Sequence, residues 1–265
     1  MHYGSPLWVD IQTRYLREHV STPYKTWTSL EGIDPTYSSY FDRVIDQTGR
    51  HSDKLNHLAI EIAGEASPDD LIMFLDGDAF PIADPLPLIT QGLASAPLVA
   101  VRRPENLGDP QPHPSFCVTT VKAWCDLGGD WSQGFRWTNT QGRRVSDVGA
   151  NLLRKLELTK THWVEVLRSN RTDLDPVFFG IYGDVVYHHG AGFRRLTRFT
   201  RFHASLAPSP QPLPSTPIVR QLHRRREWKR RQQWERETKD RLARLSDEVI
   251  AKIERGDSTW VAEFV

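Results

Sequence analysis

Cysteine is scarce in this chain, with only Cys117 and Cys125 among 265 residues. So few argue against a disulfide framework and against a cysteine-built zinc site. Two reduced thiols in a cytoplasmic protein are the expectation. Long apolar runs are missing too: no stretch approaches the roughly 18 residues that a spanning helix needs. The opening Met1-His2-Tyr3-Gly4-Ser5-Pro6-Leu7-Trp8 has neither the basic head nor the apolar core of a secretory signal. There is no excess of one charge, since 34 Lys and Arg face 33 Asp and Glu. The overall balance therefore points to no particular partner. No internal repeat is present. What remains is an ordinary globular composition, 38% hydrophobic and 25% charged, in a chain long enough for one large α/β domain or a domain with an appendage.

Apolar periodicity supplies the elements. Trp8, Ile11, Tyr15 and Leu16 have helical spacing over 8–19. Tyr24–Leu30 and Phe41–Ile45 read as strands. Leu55, Leu58, Ala59 and Ile62 share one face of a helix that opens near Ser52 and Asp53, either of which would suit its cap. Leu71-Ile72-Met73-Phe74-Leu75 is a continuous apolar run of buried-strand length. A helix over 85–93 and a strand over 98–101 follow. Prolines 104, 110, 112 and 114 stiffen a loop from Arg102 to His113. Phe116–Val121 reads as a strand running into a helix around Trp124. Val148–Leu158 is helical, Trp163–Leu167 a strand, and Val177–Tyr187 strand-like but broken by glycines. This alternation predicts an α/β layer fold over 1–207. A proline-rich linker over 208–217 then leads to a charged, helix-forming extension over 218–265.

The residues that point to chemistry stand where the apolar run stops, at Asp76-Gly77-Asp78. In open α/β sheets, ligands bind beyond the carboxyl ends of strands. Two carboxylates joined by glycine can face one hard cation, and Mg2+ or Mn2+ commonly keeps substrate phosphates as further ligands. The alternative is a solvated or capping turn. An apolar strand before the triplet and Ala79-Phe80-Pro81-Ile82 after it favour the cation. An EF-hand is disfavoured, because its further oxygen ligands and distal glutamate are missing.

The stretch His51-Ser52-Asp53-Lys54-Leu55-Asn56, followed by the Asp76-Gly77-Asp78 strand, resembles the donor half of GT-A glycosyltransferases. The resemblance covers roughly 1–203 and rests on motif order. It implies a Rossmann-like mixed sheet flanked by helices and a divalent ion, Mn2+ or Mg2+, held by Asp76 and Asp78. Lys54, Asn56 and Asp76 fall where donor contacts occur, although Lys54 and Asn56 also suit an exposed helix start. Phe116–Asp130 resembles the strand and helix beside the sugar and acceptor sites. Asp147, in Ser146-Asp147-Val148-Gly149-Ala150-Asn151, falls where the family has an acid opening a helix below the acceptor. It would be the base of an inverting enzyme or a hydroxyl-orienting group in a retaining one, and an N-cap is compatible with either. In Tyr187-His188-His189-Gly190-Ala191-Gly192-Phe193-Arg194-Arg195, the spacing of His189, Gly192 and Arg195 is similar to a motif of retaining members. By that likeness His189 completes the metal site, with His188 as its alternate. Gly192 and Arg195 would meet the diphosphate, and Arg195 would stabilise its charge. Asn106, Asp109 and His113 are polar groups that could reach a sugar. One departure stands out: only Met1–Ser5 precede the first helix, where the family has a full strand against the nucleotide base.

From Arg220 to Arg244 basic residues dominate, with Trp228 and Trp234 between them. Peripheral contact with anionic lipid, self-association through 218–255, or simple packing of one apolar stripe would each use such a helix. Nucleic acid is disfavoured, since no recognised module is present. Taken together, these features imply transfer of a sugar from a nucleotide-sugar donor, UDP-linked by default, to a saccharide or other hydroxyl acceptor, with retention favoured. The rivals are an inverting transferase, a sugar-1-phosphate nucleotidyltransferase, which lacks its glycine-rich loop here, and a non-catalytic nucleotide- or carbohydrate-binding module.

Overall fold

A computed structural model of the chain describes residues 1–171, 175, 177–190, 202, 203, 206–209, 212, 217–256 and 258–265. Two compact units are present: Met1–Phe193 with Val261–Val265, and Arg194–Trp260. The first is mixed α/β. Its opening third contains β1 (His2–Tyr3), α1 (Leu7–His19), β2 (Trp27–Thr28), β3 (Leu30–Glu31), β4 (Arg43–Val44) and α2 (His51–Glu65). Then come β5 (Leu71–Phe74), β6 (Ala79–Pro81), α3 (Leu86–Leu93), β7 (Leu98–Val101), β8 (His113–Thr120) and α4 (Val121–Leu127). The remainder is β9 (Trp137–Thr138), β10 (Arg144–Val145), α5 (Ala150–Thr159), β11 (Val164–Val166), β12 (Gly180–Tyr182) and β13 (Val186–His188).

The main sheet has the order β11-β7-β8-β5, with β11 parallel to β7 and the other pairs antiparallel. All four residues of β7 are buried, as a strand covered on both faces requires. The apolar run 71–75 divides its side chains between two cores, because successive residues of a strand point to opposite faces. Ile72 and Phe74 join Leu55, Ala59, Trp124 and Leu156 on one side. Met73 and Leu75 pack on the other with Ile89, Val99, Phe116 and Val186. Since β5 is an edge strand, its first residue, Leu71, stays 48% exposed.

A second, antiparallel sheet, β12-β13-β6, stands beside the acidic turn. The glycine break expected in 177–187 is the turn of the β12–β13 hairpin, where Gly183 and Asp184 both take positive φ. By contrast, Tyr24–Leu30 is not one strand. Trp27–Thr28 pairs with Arg43–Val44, whereas Leu30–Glu31 pairs with His2–Tyr3, so the segment changes partners at Ser29. The strand ahead of α1 is thus two residues long. Neither Ser52 nor Asp53 caps α2, which starts after an extended Arg50; Asp53 lies in the first turn, where its charge suits the helix dipole. At the start of α5, Gly149 has φ +86°, and a Cβ there would stand 2.3 Å from the Pro112 carbonyl oxygen. Only glycine lets that turn press against the 110–112 loop.

In the second unit the helix Pro217–Glu254 buries Thr238, Leu242, Val249 and Ile253. Residues 219–222 and most positions to 237 are exposed. Among the described residues no helix is long and apolar enough to cross a membrane. Both cysteines are free, Cys117 buried and Cys125 exposed.

Candidate metal centre

β5 ends at Phe74, and the Asp76-Gly77-Asp78 turn reverses the chain into β6. The Ala79 N–H closes the turn by donating to the Asp76 carbonyl at 3.0 Å. From α1, the buried Gln12 amide clamps it, donating to the carbonyls of Asp76 at 2.7 Å and Ala79 at 2.6 Å. β6 then pairs with β13 in a register that sets His188 opposite Ala79. The His189 N–H donates to the Asp78 carbonyl at 2.9 Å. Asp76, Asp78 and His188 thereby offer ligand atoms that all lie within 4.8 Å of one another, and all three residues are buried. His188 Nε2 is 3.5 Å from Asp78 Oδ1 and 3.9 Å from Asp76 Oδ2.

Two further histidines surround Asp76. His51, the first residue of α2, places Nε2 3.0 Å from Oδ1. His113, the first residue of β8, places Nδ1 3.8 Å from Oδ2, with its ring 5.5 Å from that of His188. Burial pushes the Asp76 carboxyl up. His51, then His113 and His188, pull harder and hold it well below the usual carboxylate range. Even so, buried Oδ1 receives no aligned hydrogen bond from the described residues. Two buried carboxylates thus stand side by side, and a cation between Asp76, Asp78 and His188 would neutralise them. The donor set fits a divalent metal.

The histidine beside the carboxylates is His188, not the His189 that the sequence spacing favours. Neighbouring residues leave a strand on opposite sides, so His189 turns into an aromatic nest. Its ring lies 4.7 Å from Trp8 and 5.0 Å from Phe179, and Nδ1 is 2.9 Å from the Tyr187 hydroxyl. Burial lowers its pKa to about 3, against the opposing pull of Asp78. It is neutral at physiological pH.

The other site candidates are placed as follows. Lys54 is buried and ion-paired to Glu31, its ammonium 5.9 Å from the Tyr3 ring. Asn56 binds the 130–132 loop. Its amide donates to Asp130 Oδ1 at 2.9 Å and Ser132 Oγ at 3.2 Å, and its oxygen accepts the Trp131 N–H at 2.8 Å. Of the 51–56 stretch, it is His51 that reaches the acidic turn. Asp147 is exposed, and its Oδ1 accepts the N–H of Val148 at 2.8 Å, while Gly149 takes the N-cap of α5. Asn106 donates to Asp109 at 2.6 Å. Burial raises the Asp109 pKa to about 6 despite Arg103 and Asn106. Gly192 and Arg195 lie outside the described residues.

Arg103, His51 and His113 are the residues that sequence reasoning did not assign to this centre. Arg103 is buried, with Nη1 3.0 Å from His113 Nε2. Burial, with Arg103 second, drives the His113 pKa well below its ordinary value, against the pull of Asp76. No spacing rule links positions 51, 76, 103, 113 and 188. The only available signal was that two of the histidines stand at element starts.

Asp130 is a second polar hub. Burial raises its pKa, but the Ser132 N–H, Asn151, the Ser132 hydroxyl and Asn56 outweigh that and hold it at about 2, from an ordinary 3.8. A depressed folded pKa means stability that is present above pH 3.8 and lost as pH falls through about 2. Asn151 donates to Asp130 Oδ2 at 2.9 Å. Asn151→Ala is therefore expected to move the Asp130 pKa back toward 3.8, read by carboxyl NMR titration; an unmoved value would show that this amide does not hold the carboxylate.

Compared with known proteins, the chain matches no family model, no curated protein and no solved structure.

Proposed function

We propose that this chain is a metal-dependent glycosyltransferase of GT-A layout, moving a sugar from a nucleoside-diphosphate sugar, UDP-linked first among them, to an acceptor hydroxyl. One observation carries the reading: a buried turn at the end of β5 presents Asp76 and Asp78 to His188 from an adjoining sheet, within 4.8 Å. Asp76, Asp78 and His188 would hold the cation, with His51 and His113 orienting Asp76. Two carboxylates suit Mg2+ and Mn2+, and the imidazole favours Mn2+ of the two. The ion, when bound, supplies positive charge for the diphosphate that departs from the anomeric carbon.

An aqueous face supports the role given to Asp147. It is exposed on the loop before α5, with one oxygen committed to the backbone. There it would orient the acceptor hydroxyl, or take its proton in an inverting reaction. With His188 rather than His189 at the carboxylates, the spacing that favours retention loses its metal ligand, and the inverting reading gains accordingly.

A panel of nucleotide sugars incubated with Mn2+ tests the proposal. Slow metal-dependent release of nucleoside diphosphate is expected, rising when the right acceptor is supplied. Pyrophosphate exchange with a sugar 1-phosphate would instead identify a nucleotidyltransferase. Metal-dependent nucleotide binding with no turnover on any acceptor would identify a binding module.

A further inference from the structure

The first five turns of the helix Pro217–Glu254 contribute no residue to the centre just described, and basic side chains run all along them, Arg220, Arg224, Arg230 and Arg231 among them. At 3.6 residues per turn, the covered residues Thr238, Leu242, Val249 and Ile253 fall within about 60° of one another around the helix axis. Earlier in the same helix, Leu222, Arg225, Arg226, Trp228, Lys229 and Arg236 occupy a different sector, about 160° wide. Up to Arg236 that sector contains no acid, since Glu227 and Glu235 fall outside it; the first acid within it is Asp240, one turn further on. Its four cations form no ion pair with described residues. Leu222 and Trp228 are 53% and 63% exposed, and with Arg225, Arg226 and Lys229 they line one shallow depression.

We infer that this face is a docking surface for an anionic phospholipid bilayer. Four cations spread over about 17 Å of helix match a sheet of negative headgroups. Leu222 and Trp228 supply the apolar and interfacial groups that an amphipathic helix buries at the headgroup boundary. The exposed leucine favours lipid over nucleic acid, which stacks its bases on aromatic side chains such as tryptophan but gains little from an aliphatic one. A second copy of the face is disfavoured because it would bring like charges together. Docking would hold the chain at a membrane surface without crossing it. The inference does not depend on the proposed transfer reaction.

Co-sedimentation of the full chain with vesicles tests it. Binding is expected to phosphatidylcholine vesicles containing phosphatidylserine and not to phosphatidylcholine alone, and it should weaken as salt is raised. Reversing Arg225, Arg226 and Lys229 together to Glu should cut affinity at least about a hundredfold, at about fivefold for each cation lost. Trp228→Ala should weaken binding while leaving its salt dependence intact, with circular dichroism confirming an unchanged helix. Three results would overturn the assignment: no binding to the anionic vesicles at low salt, binding indifferent to both variants, or displacement by single-stranded RNA with Trp228→Ala without effect. A charge-reversible dimer in place of vesicle binding would reassign the face to self-association.

Discussion

Asp78→Ala is expected to weaken Mn2+ binding sharply and, with it, nucleoside diphosphate release. The substitution removes one of three protein ligands and leaves only Asp76 and His188 to hold the ion. Affinity should fall at least about a hundredfold, beyond what losing a mere supporting contact costs. Turnover should fall by about 10²–10³, the scale of losing a main electrostatic stabiliser of the leaving group. The fold should survive. The hydrogen bond from His189 to residue 78 uses a backbone carbonyl, which alanine retains. The telling readout is the thermal shift on adding Mn2+: ligand at about a hundred times its Kd stabilises the parent by about 2.7 kcal/mol. An undiminished shift in the variant would mean that the metal binds elsewhere.

His188→Ala and His189→Ala should fail in different ways, although the two residues are adjacent. His188→Ala removes the imidazole beside Asp78 and should weaken Mn2+ binding by at least about a hundredfold, beyond the loss of a supporting group. His189→Ala should leave metal affinity close to the parent value. It empties a site between Trp8 and Phe179 and removes the imidazole that hydrogen-bonds the Tyr187 hydroxyl, costing about 2–4 kcal/mol of stability. Calorimetric metal titration and chemical denaturation of both variants separate the two effects. The reverse pattern, with metal binding lost in His189→Ala and kept in His188→Ala, would sink the assignment of the third ligand.

Several features are legible in the amino-acid chain alone. Leu71–Leu75 running into Asp76-Gly77-Asp78 reads as a strand ending in two carboxylates, because a continuous apolar run of that length suits a buried strand and the acids end it. The helical faces of α1, α2 and α5 show in 3.6-residue spacing. The glycines within 177–187 mark a break, and the structure makes it a hairpin turn. The 38-residue C-terminal helix is visible in its lack of proline and glycine after Pro217.

Only the tertiary structure decided what surrounds the carboxylates. Periodicity reports which side of its own element a residue takes, and nothing about which distant element it meets. His51, Arg103, His113 and His188 come from four separate places in the chain and converge through sheet order and strand register. The choice between His188 and His189 is the sharpest case. Chain composition cannot separate two identical neighbours, whereas pairing β13 against β6 sends one imidazole to the acids and the other into an aromatic core.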